Sequence, residues 1–306
     1  MKLLLSHIAD LDGITPVILL NLLDEKFEYV LFEVNELSSY IEEQIETDYF
    51  DKYDTIYITD LGITKECADK IINSKYKEKF KLFDHHESHY YLNDYEFATV
   101  IEEHDNFKEC GTSLFYNYLL KEYRSDILKK NNVIMFVELV REGDTWQFTD
   151  LKEESFNLNN LLNFYGRDNF IEIYSKSLKE NNEFYFNQTE LIILESLNRQ
   201  KKEYIESFKD KVIIKKINGY TIGFVFAESY RSELGNYLAE QYYDQVDFIG
   251  IINMNRHISF RGKKEFKPTN KFAENYGGGG HPLASAMKLP EDLKVKILKY
   301  IYDENK

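Results

Sequence analysis

Two cysteines in 306 residues, Cys67 and Cys110, are too few for a disulfide framework, and their spacing offers no paired thiolate site for a metal. A reducing, cytoplasmic setting is the expectation. Long hydrophobic runs are missing too. Residues 17–20 and 133–137 soon meet polar neighbours, well short of the roughly 18 apolar residues that cross a bilayer. The opening "MKLLLSHIADLDG" has one Lys and a brief apolar stretch, then His and Asp where a leader would need a longer apolar region. Residues 3–6 therefore read as a buried strand. An excess of positive charge is absent: 38 basic against 53 acidic residues leave a net charge of −15, which repels a long polyanion. This argues against a protein that coats nucleic acid, and leaves room for a short anionic substrate drawn in by bound cations. No internal repeat is visible, and no low-complexity segment beyond one glycine run. The hydrophobic fraction of 43% excludes disorder as the dominant state. The 24 Tyr and 22 Phe read as compositional bias, not as a stacking platform.

From residue 2 to about 83, short apolar runs ("KLLLS", "TIYIT", "FKLFD") alternate with amphipathic ones ("ITPVILLNLL", "ELSSYIEEQI"). Strands alternating with helices imply βαβ units and a parallel sheet. Residues 110–142 read as mostly helical, and the polar stretch 176–210 as a long helix joining two domains. "KVIIKKINGYTIGFVFA" then reads as a hairpin around Asn-Gly. A helix, two strands, the glycine run and a terminal helix complete a smaller domain. The fold class is α/β: an N-terminal domain (1–180) with a mainly parallel sheet flanked by helices, a linker helix (181–210), and a smaller C-terminal domain (211–306) with a mixed sheet.

Acids and imidazoles fall at strand ends. His7, Asp10 and Asp12 follow the first strand, Asp60 follows "TIYIT", and Asp84, His85 and His86 follow "FKLF". Ligands of open parallel sheets bind outside the carboxyl ends of the strands, so these groups should converge. Asp144, in "VREGDTW", ends a helical run. Taken singly, the acids read as turn residues, helix caps or solvated positions. Jointly, three strand ends would have to place such groups at one rim by accident. Imidazole with carboxylate suits Mn, Fe or Zn better than Mg or Ca. The groups are more than one tetrahedral ion needs. Two ions sharing a carboxylate would use most of them and would generate a bridging hydroxide aimed at phosphorus or carbonyl carbon. Further on, "NYGGGGHPLASA" and "SFRG" offer a glycine backbone, His281 and Arg261 as a phosphate clamp.

"LFDHHES" resembles the Asp-His-His motif of the DHH phosphoesterase superfamily. "HIADLDG", "ITDLG" and "EGDTW" resemble its other acidic motifs, and "GGGGHPLASA" with "SFRG" resembles its associated C-terminal substrate-binding domain. The size and the "HIADLDG" form are most similar to NrnB-type oligoribonucleases and cyclic-nucleotide phosphodiesterases. The two residues between His7 and Asp10 differ from the three usual in NrnA-like and family II pyrophosphatase branches. RecJ-type long-strand exonucleases usually carry further nucleic-acid-binding domains, for which this chain has no room.

The resemblance implies two divalent ions, Mn2+ first with Mg2+ or Co2+ as alternatives. His7, Asp10 and Asp60 would hold one ion; Asp12, Asp60, His85 and Asp144 would hold the other. Asp84 would support the site from behind, and His86 would face the substrate phosphate or leaving oxygen. Arg261, Gly277, Gly278, Gly279, Gly280 and His281 would bind phosphate from a C-terminal domain closing a cleft. The expected activity is phosphodiester hydrolysis on short oligonucleotides or di- or cyclic nucleotides, by a monomer or homodimer that binds neither long duplexes nor membranes. The alternatives are a pyrophosphatase or polyphosphatase, and a catalytically silent nucleotide sensor.

Overall fold

Leu3, Leu4 and Leu5 are all fully buried. Because successive side chains of a strand point to opposite faces, this requires cover on both sides of the sheet, as parallel sheets have. A computed structural model describes residues 1–23, 25–255, 257–264 and 267–302 and shows that cover. Leu3 and Leu5 join Ile56, Ile58 and Leu82 in one core, while Leu4 joins Tyr57 and Phe83 in another.

The chain divides into two units, Met1–Leu194 and Glu195–Lys306. The first contains β1 (Lys2–His7), α1 (Leu11–Leu22), β2 (Phe27–Phe32), α2 (Leu37–Glu46), β3 (Thr55–Thr59), α3 (Lys65–Asn73), β4 (Phe80–Asp84) and β5 (Ala98–Val100). A small hairpin of β6 (Glu103–His104) and β7 (Phe107–Lys108) follows, then α4 (Gly111–Tyr123), α5 (Asn131–Thr145), α6 (Lys152–Tyr165) and α7 (Arg167–Glu180). The main sheet runs β2-β1-β3-β4-β5, every pair parallel. The chain leaves β1 for β2 on one side and returns to β3 on the other. The crevice at such a reversal of strand order is where open α/β sheets bind ligands. His7 ends β1, and Asp60 directly follows β3.

Helix α1 carries Pro16 in its interior, which has no N–H to give the carbonyl of Asp12 four residues back. That carbonyl accepts instead from the hydroxyl of Thr112, in the first turn of α4, at 2.7 Å.

Residues 176–210 were expected to form one helix. They belong to two, α7 and α8 (Gln188–Glu206), and the unit boundary falls inside α8. Asparagines make the break. The Asn181 amide donates to the Ser177 carbonyl at the end of α7, and Asn187 Oδ1 accepts from the Thr189 and Glu190 amides at the start of α8. Short polar side chains offer the backbone such alternatives to continuing a helix.

The second unit adds β8 (Ile213–Ile217), β9 (Tyr220–Phe226), α9 (Arg231–Gln241), β10 (Phe248–Ile252), β11 (His257–Gly262), α10 (Thr269–Glu274), β12 (Gly279–His281), β13 (Ala284–Lys288) and α11 (Leu293–Tyr302). Its sheet order is β12-β13-β11-β10-β9-β8, with β9 and β10 parallel and the other pairs antiparallel. The expected hairpin turns at Asn218-Gly219, both at positive φ. Among the described residues no helix is long and apolar enough to cross a membrane.

Candidate metal centre

Strand ends and helix starts meet at the reversal point. His7 Nδ1 lies 3.2 Å from Asp10 Oδ2 and 3.3 Å from Asp60 Oδ2. His85 Nε2 lies 3.5 Å from Asp60 Oδ1, 3.4 Å from Asp144 Oδ2 and 3.9 Å from Asp12 Oδ2. The six groups form two clusters, His7 with Asp10 and Asp60, and Asp12 with His85 and Asp144. Asp60 turns one oxygen to the imidazole of each.

Backbone places three of the four acids. Asp10 caps α1, its Oδ1 accepting from the Gly13 amide at 3.0 Å, so Oδ2 is the oxygen left for His7. Asp12 accepts from the Gly111 and Thr112 amides at 2.7 Å each, in the first turn of α4, where unpaired amides and the helix dipole favour an anion. Asp60 sits at φ 55, a left-handed conformation that is uncommon outside glycine but several-fold enriched for Asp and Asn. Glycine lets the segments approach: a Cβ on Gly13 would lie 2.2 Å from the His7 carbonyl oxygen, and one on Gly111 would lie 2.7 Å from the Asp60 amide nitrogen.

Three buried polar atoms of this centre have no hydrogen-bond partner: Asp60 Oδ2, His85 Nε2 and Asp144 Oδ2. Buried polar groups are normally satisfied, and such orphans call for an explanation. Donors about 2.1 Å from a shared ion stand about 3.0–3.4 Å apart, close to the separations around His7 and His85. The residues fit divalent cations. Protonation tells the same story. Asp10 and then Asp60 raise the His7 pKa to about 10. Burial opposes the charged form of His85, yet Asp60, Asp12 and Asp144 raise its pKa to about 9. Burial, together with Asp60 and Asp144, pushes Asp12 well above the usual carboxylate range. Asp144 is pushed up to about 6, mainly by burial. A cation in place of these protons would relieve the same excess of negative charge.

Asp84 borders this set, a carboxylate oxygen within 4.8 Å of ligand atoms of Asp60, His85 and His86. Fully buried, it accepts from the His85 amide at 2.8 Å, and its two oxygens meet His86 Nδ1 at 2.7 Å and His89 Nδ1 at 2.5 Å. It therefore positions imidazoles, and those partners hold it well below the usual carboxylate range despite burial. His86 is half exposed, beside a cavity of about 440 Å3 also lined by His7, Asp60 and His89. The sequence reading missed His89. Its only sequence signal was a third histidine within five residues of Asp84, which a 3-10 turn over Glu87–Asp94 folds back onto the acid.

In the second unit, Arg261 pairs with Ala284 across β11 and β13, and His281 pairs with the same Ala284 across β12 and β13. Directly paired residues share a face, so Arg261 and His281 flank a small residue on one side of the sheet. The Arg261 guanidinium donates to the Phe260 carbonyl and the Ser232 hydroxyl at 2.9 Å each. Burial and the nearby Arg231, which the sequence reading also missed, lower its pKa. The amides of Gly277 and Gly278 donate to carbonyls of α10, while Gly279 and Gly280 lie in the exposed edge strand β12.

No family model matches the chain. It is 30% identical to the oligoribonuclease NrnB of Bacillus subtilis (strain 168) over 297 residues, covering 95% of this chain and 73% of the relative. Among solved structures, it is similar to a DHH domain from a protein described as a member of a family of ribosomal proteins. The TM-score is 0.57 at 13% identity, over 99% of this chain and 86% of the other. It also aligns with RecJ of Thermus thermophilus in complex with Mn2+, with TM-score 0.48 at 13% identity, over 98% of this chain and 52% of the other. The strand-end acids, the Asp-His-His segment and a 30% identity that spans 95% of this chain lead to one conclusion: the chain belongs to the NrnB family of the DHH phosphoesterase superfamily, metal-dependent hydrolases of phosphoester bonds.

Proposed function

We propose that the chain hydrolyses phosphodiester bonds of short oligonucleotides or of di- or cyclic nucleotides, using two divalent ions, Mn2+ in the first place. The observation that carries this reading is the pair of imidazole–carboxylate clusters sharing Asp60, with three buried ligand atoms left unpartnered. The relative's designation as an oligoribonuclease supports a short nucleic acid as substrate, and so does a net charge of −15. His7, Asp10 and Asp60 would hold one ion; Asp12, Asp60, His85 and Asp144 would hold the other. When bound, the ions supply Lewis-acid activation of water and neutralise charge developing on phosphoryl oxygens.

The chain's own groups do the rest. Asp84 fixes the ring of His86 through Nδ1, which leaves Nε2 to donate to a phosphoryl or leaving oxygen. Asp84 also raises the His86 pKa, keeping that ring a proton donor. The second unit is the proposed substrate-binding domain, with Arg261, His281 and the Gly277–Gly280 backbone contacting phosphate.

One panel tests the reading: pyrophosphate, polyphosphate, cyclic mononucleotides, linear dinucleotides and end-labelled oligomers, each with Mn2+, Mg2+ or chelator. The expected result is fastest turnover of dinucleotides or short oligomers, abolished by chelator. Faster hydrolysis of pyrophosphate or polyphosphate would replace the nuclease reading by a phosphoanhydride one, and binding without turnover would leave a sensor.

A further inference from the structure

The chain has one tryptophan, Trp146, and it is 69% exposed. A tryptophan that served packing would be largely buried, so this exposure asks for another reason. Trp146 stands two residues after Asp144 and ends α5 at φ 55, a left-handed conformation that is a genuine outlier for a bulky side chain. Around it are Phe148 and Phe156, with ring centroids 5.9 and 5.8 Å from its own and 5.3 Å from each other. Lys152 holds its ammonium 5.2 Å from the Phe148 centroid. Trp146 and Phe156 line a cavity of about 270 Å3 that also takes in the ligand carboxylates Asp10, Asp12 and Asp144. The same cavity offers the exposed amide of Asn159. One wall is aromatic and the other is the metal centre.

A group that fits between them is flat, uncharged and joined to a phosphate. Every nucleobase has a π-face, and stacking on aromatic side chains is the sequence-tolerant way to hold one. We propose that Trp146, Phe148 and Phe156 form a stacking platform for a nucleobase adjoining the scissile phosphate, with Lys152 beside it for the backbone. The proposal rests on the phosphodiesterase reading above and adds to it a base-binding subsite within the first unit.

Because Trp146 is the sole tryptophan, its fluorescence reports the site directly. Adenosine added to the 306-residue chain is expected to quench that emission, and ribose to leave it unchanged. No quenching at millimolar adenosine would overturn the platform. In kinetics, the comparison is kcat/KM for a dinucleotide against its analogue lacking one base. W146A should lower that ratio about tenfold and W146F should restore most of it, since a base–aromatic stack contributes a factor of this order. A ratio unmoved in W146A would overturn the platform. If dinucleotides are cleaved while the emission and the ratio stay unmoved, the platform fails alone. If no dinucleotide, cyclic nucleotide or short oligomer is cleaved, the phosphodiesterase reading fails and the adenosine titration still decides the platform.

Discussion

The two halves of the proposed metal centre are built differently. The His7 half is open: the Asp10 side chain is 45% exposed, and its fixed oxygen accepts one amide within its own helix start. The other half is closed: the Asp12 carboxylate has no exposed surface and both its oxygens are taken by amides 99 and 100 residues away. An open half makes its ligands from local chain geometry and costs the fold little. A closed half makes its ligands part of the core, so that folding and ligand placement become one event. On the two-ion proposal, the open half should therefore exchange its ion readily and the closed half reluctantly.

The strongest way to break the contrast is to remove what the halves share. Asp60→Asn should lower turnover by about a thousandfold or more, the order expected when transition-state charge loses a key stabilising group. It should also abolish stoichiometric binding of either ion in a metal titration. Asparagine tolerates the left-handed backbone at this position, so circular dichroism should stay unchanged. Near-normal activity would sink the shared-ligand arrangement.

Next comes the pair that sets the halves against each other. In Asp12→Asn an amide NH2 must face a backbone N–H, leaving a buried donor unpaired at about 1–3 kcal/mol. Thermal melts should show that loss together with loss of one ion. Asp10→Asn should keep its cap, since Asn and Asp cap helices equally well, and lose affinity for one ion with the melting temperature unchanged. Equal destabilisation by both variants would remove the distinction between open and closed halves.

A smaller effect separates the metal-free from the loaded protein by pH. With His7 and His85 raised above the ordinary 6.5 to about 10 and about 9, their contribution to folding is fully present below pH 6.5. It is lost as pH rises through those values. Chelated protein should thus lose stability between pH 6.5 and 9–10, whereas Mn2+ affinity should rise across the same window, because both imidazoles must shed their protons to bind. Melts with and without Mn2+ check both signs; parallel curves would contradict them. Smallest of all, His89→Ala should leave metal content intact and lower kcat/KM by about 2–10-fold, in line with the net value of one hydrogen bond. A loss of metal from this variant would show that Asp84 supports the ligands more directly than its geometry implies.

How much of this was legible follows physical lines. Strand-end acids show up because a buried parallel strand is an apolar run and whatever follows it stands at the sheet's rim. His7, Asp60 and the Asp-His-His segment were singled out that way as candidates, and the α/β class was read with them. Contacts across a hundred residues leave no local trace, so nothing in "ECGTS" announced that the start of α4 would hold Asp12. His89 depends on a 3-10 turn whose sequence resembles any polar loop. The aromatic trio was hidden by abundance. Against 24 Tyr and 22 Phe, there is no reason to single out Phe148 and Phe156 until folding sets them beside the only tryptophan.

Pro16 has a consequence for how specificity arises. A helix that met all its own hydrogen bonds would be content beside any neighbour of suitable shape. With Pro16, α1 has a carbonyl it cannot satisfy internally, and the hydroxyl of Thr112 satisfies it. An imperfection in one helix thus acts as an address label for another. The carboxylate of the residue that bears the unmet carbonyl, Asp12, is delivered to the candidate metal centre by the same docking.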